Sequence, residues 1–123
     1  MKIRALLVDD QSTGLSVLRD MLHHTDPDIE IIGMAASGRE AVESINQLAP
    51  DLVFLDVQMP EVDGFGVLAQ IKLPRLPIII FVTGRDDFAL KAFEAHALDY
   101  LVKPCQLARL RSAVQRARQQ IGR

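Results

Sequence analysis

Five short runs of apolar, strand-favouring residues recur along the chain, at 3–8, 29–35, 52–55, 77–83 and 99–102. After each run comes a segment in which apolar residues return every three or four positions, as they do on one face of a helix. These segments cover 11–24, 38–48, 65–71, 87–95 and 106–121. Strands that alternate with helices at this spacing are typical of a parallel sheet, because each parallel pair of strands needs a crossover connection between them.

The predicted sheet is covered by helices on both faces. The runs LVFL and IIIFV, at 52–55 and 78–82, lack the polar alternation of a strand with one wet face. Right-handed crossovers then give an α/β fold, a doubly wound (βα)5 sandwich whose five-stranded parallel sheet has the flavodoxin-like order 2-1-3-4-5. The 123 residues suffice for one core and contain no linker or repeat, so we expect one domain over residues 1–123.

Composition excludes several classes of protein. No apolar run approaches the roughly 20 residues that a membrane span needs, so no membrane contact is expected. The opening run of MKIRALLVDD ends on two aspartates, unlike a secretory signal, and we predict a cytoplasmic protein. Cys105 is the single cysteine, which rules out an internal disulfide. His23, His24 and His96 are expected at the surface.

The positive charge is concentrated at the end of the chain. The formal net charge of −2 gives no reason to expect nucleic-acid binding by this domain. The final segment nevertheless contains no acid and carries Arg109, Arg111, Arg116, Arg118 and Arg123. Two interpretations are open for these arginines, a solvated helix face and an interaction surface.

Polar residues follow four of the predicted strands where each strand ends. In a doubly wound parallel sheet these carboxyl ends share one edge, which holds the functional crevice. The residues delivered there are Asp9, Asp10, Asp56, Thr83 and Lys103. Taken singly, they have simpler interpretations as a helix cap, a turn residue, a strand end and a loop lysine. Their coincidence at one edge favours a site.

The three carboxylates predict a metal-assisted phosphoryl chemistry. Carboxylates gathered in a small crevice repel one another unless a cation lies among them, and oxygen ligands suit Mg²⁺. A carboxylate next to a metal can act as a nucleophile on phosphorus and form an aspartyl phosphate. Asp56 fits this role because it follows the central strand, between the pair Asp9 and Asp10 and the cation of Lys103.

Neighbouring residues suit the oxygens of a transferred phosphoryl group. Lys103 supplies a cation, Thr83 supplies a hydroxyl donor, and Gly84 leaves room for a donor to approach. The ring of Pro104 permits a cis bond that would aim Lys103 into the crevice. The loop QSTG at 11–14 would suit a flavin phosphate in the same topology, but the two aspartates before it would repel an anion.

Four motifs stand in a fixed order along essentially the whole chain: VDD at 8–10, LDVQMPEVDG at 55–64, VTG at 82–84 and DYLVKP at 99–104. Together they resemble the receiver domain of bacterial two-component response regulators. The resemblance implies that Asp56 is the phosphoacceptor for a sensor histidine kinase or a phosphotransfer protein. It also implies a signalling switch that catalyses only its own phosphorylation and dephosphorylation.

The same resemblance implies a role for each residue of the edge. Asp10, Asp56 and the backbone carbonyl of Gln58 would hold Mg²⁺ directly, and Asp9 would hold it through water. The phosphoryl oxygens would be bound by Thr83, Gly84 and Lys103. The switch would consist of Thr83, which moves toward the phosphate, and Tyr100, which rotates inward with it. The loops would be shaped by Pro60, Gly64 and Pro104.

The surface expected to respond is the face of helix four, strand five and helix five, and a homodimer through this face is one expected outcome. Phe88, Leu90 and Phe93 make helix four apolar on more than one side, which suits a docking surface and extra core packing equally. The run at 86–104 is also similar to receivers that precede a LytTR-type DNA-binding domain. Such an output domain would lie outside this chain.

Two rival functions come from other classes. A haloacid-dehalogenase-type phosphatase also uses an aspartyl nucleophile with Mg²⁺ after a strand. It expects a second aspartate two residues on, where this chain has Gln58, and a cap domain for which 123 residues leave no room. A flavodoxin-like binding module is disfavoured by Asp9 and Asp10.

Overall fold

The computed structural model describes residues 2–122, in which strands and helices alternate throughout. The strands are β1 Ile3–Val8, β2 Ile29–Ala35, β3 Leu52–Leu55, β4 Ile78–Thr83 and β5 Asp99–Val102. The helices are α1 Ser12–Thr25, α2 Gly38–Leu48, α3 Gly64–Ala69, α4 Ala89–Glu94 and α5 Leu107–Ile121. The four strand pairs are parallel, and the sheet order is β2-β1-β3-β4-β5. The predicted α/β fold and strand order are confirmed.

Alternate residues of each strand enter two apolar cores, one on each face of the sheet. On one face, α1 and α5 cover a core that includes Leu7 and Phe54. On the other, α2, α3 and α4 cover a core that includes Leu6 and Leu55. The four residues of β3 are all buried, because this strand lies in the middle of the sheet with a helical layer on each side. This explains why its sequence shows no polar alternation.

Local hydrogen bonds fix both ends of α2. The hydroxyl of Ser37 accepts a bond from the backbone N–H of Glu40 (3.1 Å), which satisfies one of the free donors of the first turn. At the other end, the guanidinium of Arg4 donates to the carbonyls of Leu48 (2.8 Å) and Ala49 (2.9 Å). Helix α2 is therefore tied to the beginning of β1.

Helices α3 and α4 are shorter than the predicted segments 65–71 and 87–95. Beyond α3, the side chain of Asn46 donates to the carbonyl of Gln70 (3.2 Å) and accepts from the N–H of Lys72 (2.8 Å). These backbone groups are therefore held by α2 instead of continuing the helix. Before α4, Asp87 is ion-paired with Arg85 in the preceding turn, and the helix begins only at Ala89.

The arginines of α5 contact acids within the domain. Arg109 and Arg116 contact Asp99 at 2.6 Å and 3.1 Å, and Arg118 contacts Asp26 at 2.6 Å. The interpretation as a solvated face is therefore incomplete, since much of the positive charge is matched by acids of other elements. Arg123 lies outside the described residues.

The three histidines are exposed, as predicted: two in the last turn of α1 and His96 just after α4. Within residues 2–122, none of the helices combines the length and the apolar character needed to cross a bilayer.

Candidate functional site

The carboxyl edge of the sheet brings together polar residues from four adjacent elements. Asp9 follows β1, Asp56 follows β3, Thr83 ends β4 and Lys103 follows β5. Backbone bonds extend the pairing one residue past the strands, from the N–H of Asp56 to the carbonyl of Val8 (3.1 Å) and from the N–H of Lys103 to the carbonyl of Thr83 (2.8 Å). The register of the sheet therefore sets the spacing of these side chains.

Three carboxylates form an acidic cluster at this edge. Asp9, Asp10 and Asp56 each offer an oxygen, and these oxygens all lie within 4.8 Å of one another. Asp9 and Asp56 are buried, whereas Asp10 is partly exposed. Carboxylate oxygens converging in a partly exposed site suit a divalent cation of the hard class. The residues present therefore fit a bound metal ion.

Lys103 supplies the positive charge of the cluster. Its Nζ lies 2.5 Å from Oδ2 of Asp9 and 3.5 Å from Oδ2 of Asp56. Burial opposes the charged ammonium, but the hydrogen bond to Asp9 and the charges of Asp56 and Asp9 together raise the pKa of Lys103. The lysine therefore keeps its charge, and it lies between the two buried carboxylates.

Burial raises the pKa of Asp56 above its ordinary value, and the negative charge of Asp9 adds to this effect. The charge of Lys103, the Thr83 hydroxyl and the backbone N–H of Gln58 oppose the increase. The N–H of Gln58 donates to Oδ1 of Asp56 over 3.3 Å. Burial of the charged Asp56 carboxylate is thus unfavourable, and its neighbours offset this cost only in part.

An open crevice of about 400 Å³ lies above Asp56. Its lining is polar at the strand ends and is completed by the loop after β3, with Asp10, Gln11, Asp56, Gln58, Met59, Pro60, Thr83 and Gly84. The crevice therefore gives a group from solvent access to the carboxylate of Asp56. Most of the site residues predicted from the sequence meet here.

Two glycines near the crevice differ in the space around them. A Cβ added to Gly64 would lie 2.6 Å from the backbone oxygen of Asp56 and 3.0 Å from the ring of Phe81. Gly64 therefore allows α3 to begin directly against the loop that carries Asp56. A Cβ added to Gly84 would have no described atom within 4 Å, in agreement with the open space expected beside Thr83.

Gly14 is a residue whose relation to the site the sequence reasoning missed. A Cβ at this position would lie 2.3 Å from Oδ2 of Asp9, the oxygen that faces Lys103. Gly14 therefore allows the Asp9 carboxylate to rest against the first turn of α1. The signal in the sequence was a glycine inside a helix, where it is unfavourable without a packing reason.

Tyr100 lies apart from the crevice, on the α4 side of β5. It is buried, its ring lies 6.1 Å from that of Phe81, and its hydroxyl donates to the backbone carbonyl of Arg85. Arg85 is held by Asp87 and lies over the ring of Phe88 at 5.3 Å. The tyrosine ring is thus buried, and its hydroxyl is attached to the loop that follows Thr83.

Pro104 also lies outside the crevice lining, and its peptide bond with Lys103 is cis. The sequence reasoning had left this isomer open. Pro104 instead lines an apolar cavity between α1 and α5, together with Val17, Met21, Cys105 and Leu110.

Comparison with known proteins agrees with this geometry. Residues 5–115 match the family model described as the response regulator receiver domain. The chain belongs to this family. As a receiver domain it is a signalling switch of two-component systems, and the family assignment made from the four motifs is confirmed.

Curated proteins are similar to almost the whole of this receiver domain. It is 42% identical over 118 residues to the transcriptional regulatory protein BtsR of Salmonella typhi, an alignment that covers 96% of this chain and 49% of the relative. It is 43% identical over 114 residues to an uncharacterized response regulatory protein of Vibrio cholerae, covering 93% and 48%. The chain thus spans about half the length of the curated relatives it matches.

Solved receiver structures have the same fold. The response regulatory domain of mrkE from Klebsiella pneumoniae superposes with a TM-score of 0.89 at 26% identity, covering 98% of each chain. A chain of the CheX-CheY-BeF3-Mg²⁺ complex from Borrelia burgdorferi gives a TM-score of 0.81 at 26% identity, covering 92% of this chain and 87% of that one.

Proposed function

We propose that Asp56 accepts a phosphoryl group from the phosphohistidine of a sensor histidine kinase or a phosphotransfer protein. Receiver domains of this family interact with such proteins. The observation that carries the proposal is the position of Asp56, a buried carboxylate that faces an open crevice between two further carboxylates and a lysine. A nucleophile in that position meets an incoming phosphoryl group with cations and donors already in place.

The proposed cofactor is Mg²⁺. Asp10, Asp56 and the carbonyl of Gln58 would hold the ion directly, and Asp9 would hold it through water. When bound, Mg²⁺ shields the charge of the carboxylates and of the phosphoryl oxygens. The convergence of the three carboxylates supports this assignment.

In the proposed transfer, an oxygen of Asp56 attacks phosphorus and the P–N bond to the histidine breaks. The electron pair of that bond returns to the imidazole nitrogen, which then takes up a proton. Lys103 leaves its contact with Asp9 and binds the phosphoryl oxygens together with the Thr83 hydroxyl, while Gly84 leaves the approach open. The domain catalyses only this step and the later hydrolysis.

The response is proposed to pass from Thr83 to Tyr100 and then to the face formed by α4, β5 and α5, because an added dianion biases a two-state element nearby. This face exposes the apolar side chains Leu90, Phe93, Val102 and Leu107. Phe88, in contrast, packs against the core beside Phe65. Core packing therefore explains Phe88, whereas Leu90 and Phe93 are left for a docking surface. The exposed apolar side chains suit contact with a second copy of the domain or with another protein.

We also propose a domain extent, a location and an output for this receiver. Residues 1–123 form one receiver domain that meets its kinase in the cytoplasm. The relatives named transcriptional regulatory proteins are about twice as long as this chain. We therefore propose that the domain controls a DNA-binding output domain, of the LytTR type, that lies outside the residues described. The phosphatase alternative is disfavoured because Gln58 stands where a general acid is needed.

Intact-mass measurement tests the phosphoacceptor directly. The protein is incubated with Mg²⁺ and a phosphoramidate or acetyl phosphate, and with a phosphorylated histidine kinase domain. We expect one added phosphoryl group in the wild type and none in Asp56→Asn. Asp51→Asn is the matched control, since Asp51 lies at the opposite end of β3. Labelling that survives Asp56→Asn would contradict the assignment.

A further inference from the structure

Asp99, the first residue of β5, is a charged residue in a buried position. Its side chain is only 4% exposed, and its carboxylate forms ion pairs with two arginines of α5. Arg109 donates to both carboxylate oxygens, at 2.9 Å and 2.6 Å, and Arg116 donates to Oδ2 at 3.1 Å. We name this group the Asp99 clamp. A two-point contact of this kind fixes direction as well as distance.

The clamp lies on the strand that carries the proposed switch residue. The backbone N–H of Tyr100 donates to Oδ1 of Asp99 over 2.8 Å. Successive side chains of a strand point to opposite faces, and accordingly Leu101 packs with α5 while Tyr100 packs on the α4 side. Any displacement of the β5 backbone that accompanies movement of Tyr100 therefore acts on the carboxylate that α5 holds.

Helix α5 has a second ion pair that does not involve β5. Arg118 contacts Asp26 at 2.6 Å, and Asp26 closes the C-terminus of α1. Both Asp99 and Asp26 are mostly buried partners of α5 arginines. They differ in that only Asp99 belongs to the strand of Tyr100. Among the contacts of residues 2–122, helix α5 is thus held by ion pairs both to the switch strand and to the turn after α1.

We infer that the Asp99 clamp is the connection through which the switch strand moves helix α5. In this role Asp99 is a positioning residue: it touches neither the phosphoryl group nor the metal, and it transmits the displacement of Tyr100 to Arg109 and Arg116. The inference rests on the proposed function, because phosphorylation of Asp56 is what drives Tyr100. It also gives a role to Arg109 and Arg116, two of the arginines of the last helix.

The chain offers a built-in probe for the test. Tyr100 is the single tyrosine and there is no tryptophan, so 3-fluorotyrosine labels one site and its ¹⁹F signal reports on Tyr100 alone. Intact mass gives the phosphorylated fraction of the same sample. Hydrogen exchange of the backbone amides of α5 reports whether that helix responds. The three readouts are compared with and without Mg²⁺ and phosphoramidate in the wild type, Asp99→Asn and Asp26→Asn.

In the wild type we expect added mass, a shifted ¹⁹F signal and altered exchange across α5. Asp99→Asn should keep the first two and reduce the α5 change about fivefold, the lower end of typical coupling between sites. Asp26→Asn should keep all three. Arg109→Lys, which replaces the two-nitrogen contact of the guanidinium with one ammonium nitrogen, should give an intermediate α5 response. This milder variant tests the inference even where Asp99→Asn prevents folding.

The results separate the inference from the proposal beneath it. A wild-type mass that stays unmodified both with phosphoramidate and with a phosphorylated histidine kinase domain would contradict the phosphoacceptor role itself. A phosphorylated wild type without a change in α5, or an α5 change of full size in both Asp99→Asn and Arg109→Lys, would overturn the clamp alone. An equal loss in Asp26→Asn would overturn it too, because it would show that any ion pair of α5 suffices.

Discussion

Lys103 and Asp9 lie 94 residues apart in the chain, and their side chains are joined by an ion pair of 2.5 Å across the edge of the sheet. The same ammonium is 3.5 Å from Asp56. One lysine thus serves two buried carboxylates, which leaves the acidic cluster with excess negative charge. A bound divalent cation would neutralise this excess. To reach a phosphoryl group, Lys103 must give up its contact with Asp9.

Replacing Lys103 with glutamine should strengthen metal binding. At the edge of the protein, removal of a unit charge a few ångströms from the acidic cluster is worth on the order of 1 to 2 kcal/mol after solvent screening, so we expect Mg²⁺ to bind about tenfold more tightly. Phosphorylation should slow at the same time, because the phosphoryl oxygens lose their cation. Calorimetric titration with Mg²⁺ measures the first effect. The control is Lys91→Gln, because Lys91 belongs to α4 and its ammonium lies over the ring of Phe65. Weaker Mg²⁺ binding by Lys103→Gln would contradict the prediction.

Gly64→Ala should destabilise the protein and disturb the loop that carries Asp56. The new Cβ would meet a backbone oxygen at 2.6 Å, and rigid overpacking of this kind costs about 1 to 3 kcal/mol. Urea denaturation measures the free energy of unfolding. Gly84→Ala is the matched control, because the open space around Gly84 predicts a change within about 0.5 kcal/mol. Equal stability of the two variants would show that the close approach of Gly64 is not required.

Two substitutions of Tyr100 should separate its ring from its hydroxyl. Tyr100→Phe keeps the packing against Phe81 and loses the bond to the Arg85 carbonyl, at a cost of about 1 kcal/mol in stability. Tyr100→Ala loses both interactions. We expect unchanged phosphorylation by intact mass in both variants, with a response of α4 in hydrogen exchange that weakens in Tyr100→Phe and disappears in Tyr100→Ala. Loss of phosphorylation in Tyr100→Phe would show that the tyrosine belongs to the reaction and not to the response.

The Asp99 clamp should make stability depend on pH in the acid range. Burial by itself raises the pKa of Asp99, but the hydrogen bonds from Arg109 and from the N–H of Tyr100, with the charges of Arg109 and Arg116, bring the pKa below its ordinary value. The folded state therefore binds the proton less well than the unfolded chain. The contribution is complete above the unfolded pKa of about 4 and is lost as the pH falls through the lower folded value.

Asp99→Asn provides the comparison. At neutral pH we expect it to be less stable than the wild type by about 1 to 3 kcal/mol, below the full value for a buried pair because both arginines are half exposed. The difference should shrink as the pH falls below about 4, because the unfolded chain then takes up a proton that the folded carboxylate still excludes. Urea denaturation across this range measures it. If the difference in stability between the two proteins did not depend on pH, Asp99 would stabilise the fold through packing and not through its charge.

Features that depend on one strand or on the edge of the sheet were predictable from the sequence. The apolar runs gave the strands because burial on both faces removes polar alternation, as in β3. The carboxyl-edge rule then brought Asp9, Asp56, Thr83 and Lys103 to one place, since parallel strands end on the same side. None of this required knowledge of side-chain contacts.

Features that depend on particular side-chain contacts were not predictable in this way. Periodicity cannot show that Asn46 of α2 takes the backbone groups beyond α3, or that Asp87 turns toward Arg85 before α4. It also cannot pair the arginines of α5 with Asp99 and Asp26. The relation of Gly14 to Asp9 was missed for the same reason, because a glycine in a first turn has many local explanations.

Locating the phosphorylated residue tests the central claim most directly. Borohydride reduces an aspartyl phosphate to homoserine, so peptide mass spectrometry after treatment with Mg²⁺ and a phosphohistidine donor places the modification at one position. We predict homoserine at Asp56, with Asp9 and Asp10 unmodified. Homoserine at Asp9 or Asp10 in place of Asp56, or no modification with either a phosphohistidine protein or a small donor, would contradict the account.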